Sequence, residues 1–263
     1  AELTFYLIWC IIIFGVIFML QKIIGACKKA ISDYNMIEDG DKIAVGLSGG
    51  KDSITLLHAL YYLRKFYPKH FDIMAITIDP GSETFHTDEL EKMCNKLGIE
   101  YVVYKSNISK VVFDIRKETN PCSLCANMRR GMLNSLAIEH GCNKIALGHH
   151  ADDVIETFLM SVLLNGKIHC FAPVTYLSRS NVKTIRPMIY VDEKDIRATA
   201  RELNFPVMGK CCPADGFTKR EYMKDLIRDL KKDIPNVKKH LLGAIRRSKI
   251  DGWEIGNTPK EDE

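Results

Sequence analysis

The sequence has no Walker A loop, no second Cys-x-x-Cys, no histidine pair at zinc-ligand spacing, no internal repeat and no low-complexity linker. A Walker A loop needs one more residue between its first glycine and the Gly-Lys pair than lies between Gly46 and Gly50. Without a second Cys-x-x-Cys or a histidine pair, a zinc site loses its usual ligand set. Charge of one sign is scarce as well: a net +4 is mild and by itself says little about nucleic acid. Charge is missing altogether from residues 3–20, a run just long enough to span a bilayer as a helix. A cleaved signal peptide is disfavoured, because no positive region precedes that run and no small-residue cleavage site follows it.

Cysteine, by contrast, is plentiful. Nine are many for an intracellular enzyme, and an odd number argues against a fully paired disulfide framework. Cys10, Cys27, Cys94, Cys142 and Cys170 stand singly in apolar or helical surroundings and read as buried small hydrophobes. Cys122-Ser-Leu-Cys125 and the adjacent Cys211-Cys212 are the exceptions. Iron or zinc thiolate chemistry in a reducing cytoplasm fits this usage better than secretion does.

The 263 residues can hold one α/β domain with a sizeable core, plus an appendage. They are organised around Lys42–Ser53. Ile43, Ala44, Val45 and Leu47 form a short apolar run, as expected of a strand buried on both faces of a parallel sheet. Gly49 and Gly50 permit backbone angles and close approach that a Cβ would forbid. The residues from Ser53 onward read as an amphipathic helix. Strand, Gly-Gly turn and helix start aim backbone N–H groups and the positive end of a helix dipole at one spot, where Lys51 adds a mobile cation. The string Ser48-Gly49-Gly50-Lys51-Asp52-Ser53 resembles the pyrophosphate loop of the ATP pyrophosphatase family, whose members cleave ATP between the α and β phosphates and adenylate their substrates.

Further along, Asp72–Asp79, Glu100–Lys105 and Asn143–Leu147 read as strands, alternating with helical stretches at 86–97, 108–118, 126–140 and from Ala151. Residues 182–189 suggest one more strand or edge segment. This rhythm predicts a doubly wound parallel sheet with ligands beyond the carboxyl ends of the strands, and the resemblance of the loop implies that it is of the adenine nucleotide alpha hydrolase-like kind. Ser48, Asp79 and His149 all fall there. The expected organisation is a hydrophobic segment over 1–18, an N-terminal helical segment over 19–41 and an ATP-binding domain carrying the cysteine site over 42–215. A helical extension over 216–253 and a disordered polar tail over 254–263 complete it.

Gly148-His149-His150-Ala151-Asp152-Asp153 is the second functional stretch. Carboxylates in a helix's first turn are stabilised by its dipole, yet these also lie where Mg²⁺ on ATP needs oxygen ligands. Asp52 and Asp153 are the candidates for Mg²⁺. Cys122-Ser-Leu-Cys125 alone is ambiguous between a redox dithiol, half a zinc site and part of an iron–sulfur site. Three thiolates around a [4Fe-4S] cluster would leave one iron open to an outside ligand.

The phosphate loop, Pro121-Cys-Ser-Leu-Cys-Ala-Asn-Met-Arg-Arg-Gly131, Leu147-Gly-His-His-Ala-Asp-Asp153 and Cys212-Pro-Ala-Asp-Gly216 occur together and in order. Over about residues 20–250 this resembles the tRNA 2-thiocytidine synthetase family, which thiolates a cytidine in the tRNA anticodon loop. The resemblance implies a [4Fe-4S] cluster on Cys122, Cys125 and Cys212, with Cys211 as a departure that leaves the third ligand open. It implies that ATP adenylates the C2 oxygen, with Lys51 and the Mg²⁺ held through Asp52 balancing the pyrophosphate, and that sulfur on the open iron then attacks C2 as AMP leaves. Arg129, Arg130 and the clusters Lys219-Arg220, Lys231-Lys232, Lys238-Lys239 and Arg246-Arg247 would offer tRNA a phosphate-binding face, against interspersed acids that weaken it. The implied partners are tRNA and a sulfur donor, such as a cysteine desulfurase or sulfide, with the enzyme a cytoplasmic homodimer. Two readings compete: a lysidine-type or amide-forming ligase on the same scaffold, and a nucleotide-binding iron–sulfur or zinc sensor. For residues 1–18 the expectation is an upstream in-frame extension, with the native chain starting at Met19. As a membrane anchor they would instead leave Lys22, Lys28 and Lys29 on the cytoplasmic side.

Overall fold

The computed structural model describes residues 19–81, 85–116, 121–178, 180–209 and 219–256, the side chains of Phe113 and Cys122 excepted. The expectations for residues 1–18, Cys211, Cys212 and the tail from 257 lie outside the described residues. Among the described residues, no helix is long and apolar enough to cross a membrane.

Six strands form one sheet in the order β3-β2-β1-β4-β6-β5. They are β1 (Asp41–Gly46), β2 (Phe71–Asp79), β3 (Glu100–Lys105), β4 (Lys144–Ala146), β5 (Val174–Leu177) and β6 (Val182–Ile185). The first four and β6 run parallel, and β5 closes the edge as the antiparallel partner of β6. From β1 the chain winds outward through β2 and β3, then returns to β1's other side with β4. The crevice at that reversal, beyond the carboxyl ends of β1 and β4, is where open α/β sheets bind ligands.

Both faces of the sheet are covered, which explains the near-continuous apolar strands. Ile43 and Val45 turn toward one core together with Ile73 and Ala75, while Ala44, Met74, Ile76 and Ile145 face the other. The first core takes α1 (19–33), α2 (Lys51–Leu63), α3 (Asp88–Leu97) and α6 (Glu193–Glu202); the second takes α4 (Pro121–Glu139). Cys27, Cys94, Cys142 and Cys170 are buried, and burial pushes their thiols up to about 11 or 12, as small core hydrophobes would be.

Four local expectations change. α2 is not amphipathic: Ile54, Thr55, Leu56 and Leu57 are all buried, because the helix lies between the sheet and α6. The helical stretch expected over 108–118 is π-type over Lys110–Ile115, and residues 117–118 lie outside the described residues. Strand β6 stops at Ile185, where Arg186-Pro187 begins a turn, and its partner β5 had no clear signal. Finally, α4 begins at Pro121 rather than near 126, so the Cys-x-x-Cys lies within its first turns. Proline at a helix's first position is a known start signal that could have placed this boundary.

At the C-terminus, α5 (Ala151–Asn165) packs against α7 (Lys219–Asp233) and α8 (Val237–Ser248). The fully buried Trp253 ties this end down, donating from Nε1 to Phe171 O at 3.0 Å and meeting Tyr34 edge-on at 5.9 Å.

Candidate active site

The loop between β1 and α2 is held by its own serines. Ser53 Oγ accepts from the Ser48 N–H at 3.1 Å, lies 3.1 Å from Ser48 Oγ and donates to Gly50 O at 2.9 Å. Gly49 adopts φ +80°, and its carbonyl accepts from the Met208 N–H at 2.9 Å. A Cβ there would be strained and would meet the Met208 side chain. Gly148 answers a different need. A Cβ at that position would come within 3.1 Å of the Asp52 and Ser53 backbone, so glycine lets the end of β4 close on the start of α2. No side chain caps α2, whose N-cap is Gly50. Its first-turn N–H groups and dipole therefore form an anion site.

Lys51 stands at that site between two carboxylates. Its ammonium is 3.0 Å from Asp52 Oδ1, 3.1 Å from Asp52 Oδ2 and 3.0 Å from Glu193 Oε1. Burial alone would lower its pKa, but the two acids outweigh burial and raise it. Asp52 Oδ1 is buried and already faces one cation, the Lys51 ammonium, so a carboxylate placed here beside the loop suits a cation ligand.

Asp152 and Asp153 are committed elsewhere. Asp153 Oδ2 accepts from the His150 N–H at 3.0 Å, closing a capping box on α5, and Asp153 Oδ1 accepts from Arg220 at 2.6 Å. Asp152 accepts from the Glu193 N–H at 2.8 Å and pairs with Lys238. Arg220 and Lys238, read from sequence as part of a phosphate-binding face, point inward instead. No group of three or more metal-ligating side chains exists among the described residues. Mg²⁺ on ATP needs only one or two protein carboxylates, and Asp52 fits that role better than the Arg220-bound Asp153.

His149 stacks on Phe171 at 4.9 Å, and Arg186 lies over the same ring at 5.1 Å. Burial, reinforced by Arg186, pushes the His149 imidazole down to about 4. Asp79, ending β2, caps its own turn by accepting from the Gly81 N–H at 2.8 Å.

A cleft of about 180 Å³ opens at the start of the loop, lined by Ser48 but not by Lys51, Asp52, Asp79, His149, Asp152 or Asp153. Leu47 and Ser48 line it from the loop, Ile76 and Ile78 from β2, and Ala126, Arg129, Arg130 and Leu133 from α4. Arg129 also donates to Ile78 O at 3.4 Å. The helix carrying Cys122 and the half-buried Cys125 thus forms the wall opposite the phosphate loop. Sequence reasoning missed Glu193 and did not foresee the carboxylate pairing of Arg220 and Lys238. Their partners are fixed only by tertiary packing.

Deep in α5, Glu156 is 2% exposed, with Arg220 3.7 Å from its carboxylate. Burial pushes its pKa from the ordinary 4.5 up to about 7, against the pull of Arg220. Its stabilising share is complete below pH 4.5 and is lost as pH rises through about 7, because the folded state retains a proton that the unfolded chain releases. Glu156→Gln should flatten this dependence and gain on the order of 2 kcal/mol relative to wild type at pH 8. Urea unfolding between pH 5 and 8 checks it; parallel curves for the two proteins would refute the shift.

The fold and the uncapped loop define an ATP-binding α/β protein of the PP-loop class, and the PP-loop domain family matches residues 19–210. The tRNA-cytidine(32) 2-sulfurtransferase of Geotalea uraniireducens is 43% identical over 230 residues, covering 86% of this chain and 91% of that protein. The enzyme of the same name from Geobacter metallireducens is 40% identical over 228 residues, covering 86% and 89%. The chain belongs to the tRNA-cytidine(32) 2-sulfurtransferase family. Among solved structures, the U34-tRNA thiolase NcsA from Methanococcus maripaludis, with its [4Fe-4S] cluster, superposes with a TM-score of 0.71 at 26% identity, covering 88% of this chain and 78% of that one.

Proposed function

We infer that this protein is a tRNA sulfurtransferase that binds ATP at Ser48–Ser53, adenylates cytidine 32 at its C2 oxygen and replaces that oxygen with sulfur. One observation carries the reading. A single cleft has Ser48, the first residue of the phosphate loop, on one wall and, on the other, residues 126–133 of the helix that carries Cys-x-x-Cys. A lysidine-type ligase would have no use for that cysteine pair.

The apolar lining from Leu47, Ile76, Ile78 and Leu133 suits the adenine ring. The N–H groups opening α2 and the Lys51 ammonium receive the leaving pyrophosphate, and Asp52 holds the Mg²⁺. Arg130, exposed at the cleft, is placed to meet substrate phosphate.

Accessibility supports the cysteine site. Four described thiols are buried and held neutral, whereas Cys125, in the opening turns of α4, is only half-buried. Cys122, one turn earlier, and a third cysteine, Cys212 or Cys211, would complete the ligands of a [4Fe-4S] cluster. Bound there, that cluster supplies an iron site for sulfur. A cysteine desulfurase or sulfide as donor, a homodimeric state and a cytoplasmic location accompany this reading through the family resemblance.

Incubation with ATP and tRNA should release AMP and pyrophosphate, and nucleoside mass spectrometry should find 2-thiocytidine only in tRNA from cells that hold the protein. Release of ADP and phosphate, or unchanged nucleosides, would defeat it.

A further inference from the structure

We propose that Glu193 is the positioning residue for Lys51, fixing the ammonium where pyrophosphate departs; this rests on the ATP reading above. Glu193 is itself immobilised before it meets the lysine. It is the first residue of α6, a helix packed against α2. Its backbone N–H is bound by Asp152 at 2.8 Å, and its Oε2 accepts from Arg197 at 2.9 Å. The remaining oxygen, Oε1, lies 3.0 Å from Lys51 Nζ, and the side chain is 14% exposed.

A lysine has four rotatable bonds, and ordering it costs up to about 2 kcal/mol of rotamer freedom. Asp52 cannot supply that order alone, because it is the neighbour of Lys51 on the same helix turn and the candidate Mg²⁺ ligand. Glu193 reaches Lys51 from a different element and has no metal to serve. Together the two acids occupy two of the ammonium's three N–H groups, leaving one for a phosphate oxygen. The lysine is then ordered before ATP arrives, so the gain appears in the chemical step more than in ATP affinity. The Glu193–Arg197 pair on its own would be an ordinary surface contact one turn apart on a helix. Its burial against Lys51 is what α6 does not need for its own stability.

The cluster-loaded enzyme with tRNA is the test. Glu193→Gln has one acceptor oxygen where Lys51 and Arg197 use two, and should lower kcat for AMP formation about 30-fold while KM for ATP moves less than about 3-fold. On a Lys51→Met background the same change should cost less than about 2-fold, since the lysine it positions is gone. A role in folding alone would add its full loss to the Lys51→Met enzyme, so additive losses overturn the proposal, as does a Glu193→Gln enzyme with unchanged kcat. Full activity in Lys51→Met would overturn the ATP reading itself, and this one with it.

Discussion

Lys51→Ala should reduce AMP and pyrophosphate formation by about a thousandfold, a loss equivalent to about 4 kcal/mol of transition-state stabilisation. Two effects act together. The substitution removes the side-chain cation at the uncapped start of α2, where the backbone N–H groups converge. It also deprives Asp52 and Glu193 of the ammonium they share at 3.0 Å each, leaving Glu193 with Arg197 alone beside an incoming polyanion. Binding suffers as well, so KM for ATP should rise along with the fall in kcat. In the wild type, hydrogen bonds from Arg197 and Lys51 hold Glu193 at about 2 against its burial, and the variant keeps only the Arg197 part of that hold. Lys51→Arg should rescue poorly, because a planar guanidinium does not fit between two carboxylates placed for a compact ammonium. Fluorescent-nucleotide titration and product chromatography read both quantities. A Lys51→Ala enzyme within tenfold of wild type would place the phosphate elsewhere.

The phosphate loop was legible because its chemistry is local. A strand end, two glycines and a helix start are consecutive in sequence, and the anion site follows from backbone geometry alone. The sheet was legible for a similar reason: strands buried on both faces, such as β1 and β2, read as unbroken apolar runs. The β5–β6 edge was less so, since an edge strand with half-buried residues like Thr175 and Tyr176 carries no such run. Side-chain destinations were the least readable. Lys238 and Lys239 are adjacent in sequence, yet Lys238 turns inward to Asp152, and only the packing of α8 on α5 decides this. Arg220 likewise leaves the basic face for Asp153. Salt bridges within α7, such as Arg228–Asp225 and Lys232–Asp229, weaken that face further. The tRNA backbone therefore finds fewer uncommitted cations on α7 and α8 than the sequence suggested, and Arg130 at the cleft gains importance.

Replacing Cys122, Cys125 or Cys212 by alanine should each abolish thiolation and strip iron, while ATP still binds. The expectation follows from where thiolates can exist. A cluster ligand must be deprotonated, and burial holds Cys27, Cys94, Cys142 and Cys170 as thiols with pKa values near 11 or 12. Cys142→Ala should therefore keep its iron and cost only core stability, about 1 kcal/mol for a small buried side chain. Cys125, in the opening turns of the 19-residue α4, is only half-buried and so open to iron. Anaerobically purified wild type should be brown, absorbing near ~400 nm, and the three ligand variants colourless. ATP titration should distinguish loss of the cluster from loss of the fold, because Ser48–Ser53 belong to a different wall of the cleft. Cys211→Ala decides the third ligand. If it bleaches the protein while Cys212→Ala does not, the cluster is bound through Cys211. If both singles stay brown and only the double variant is colourless, either cysteine serves.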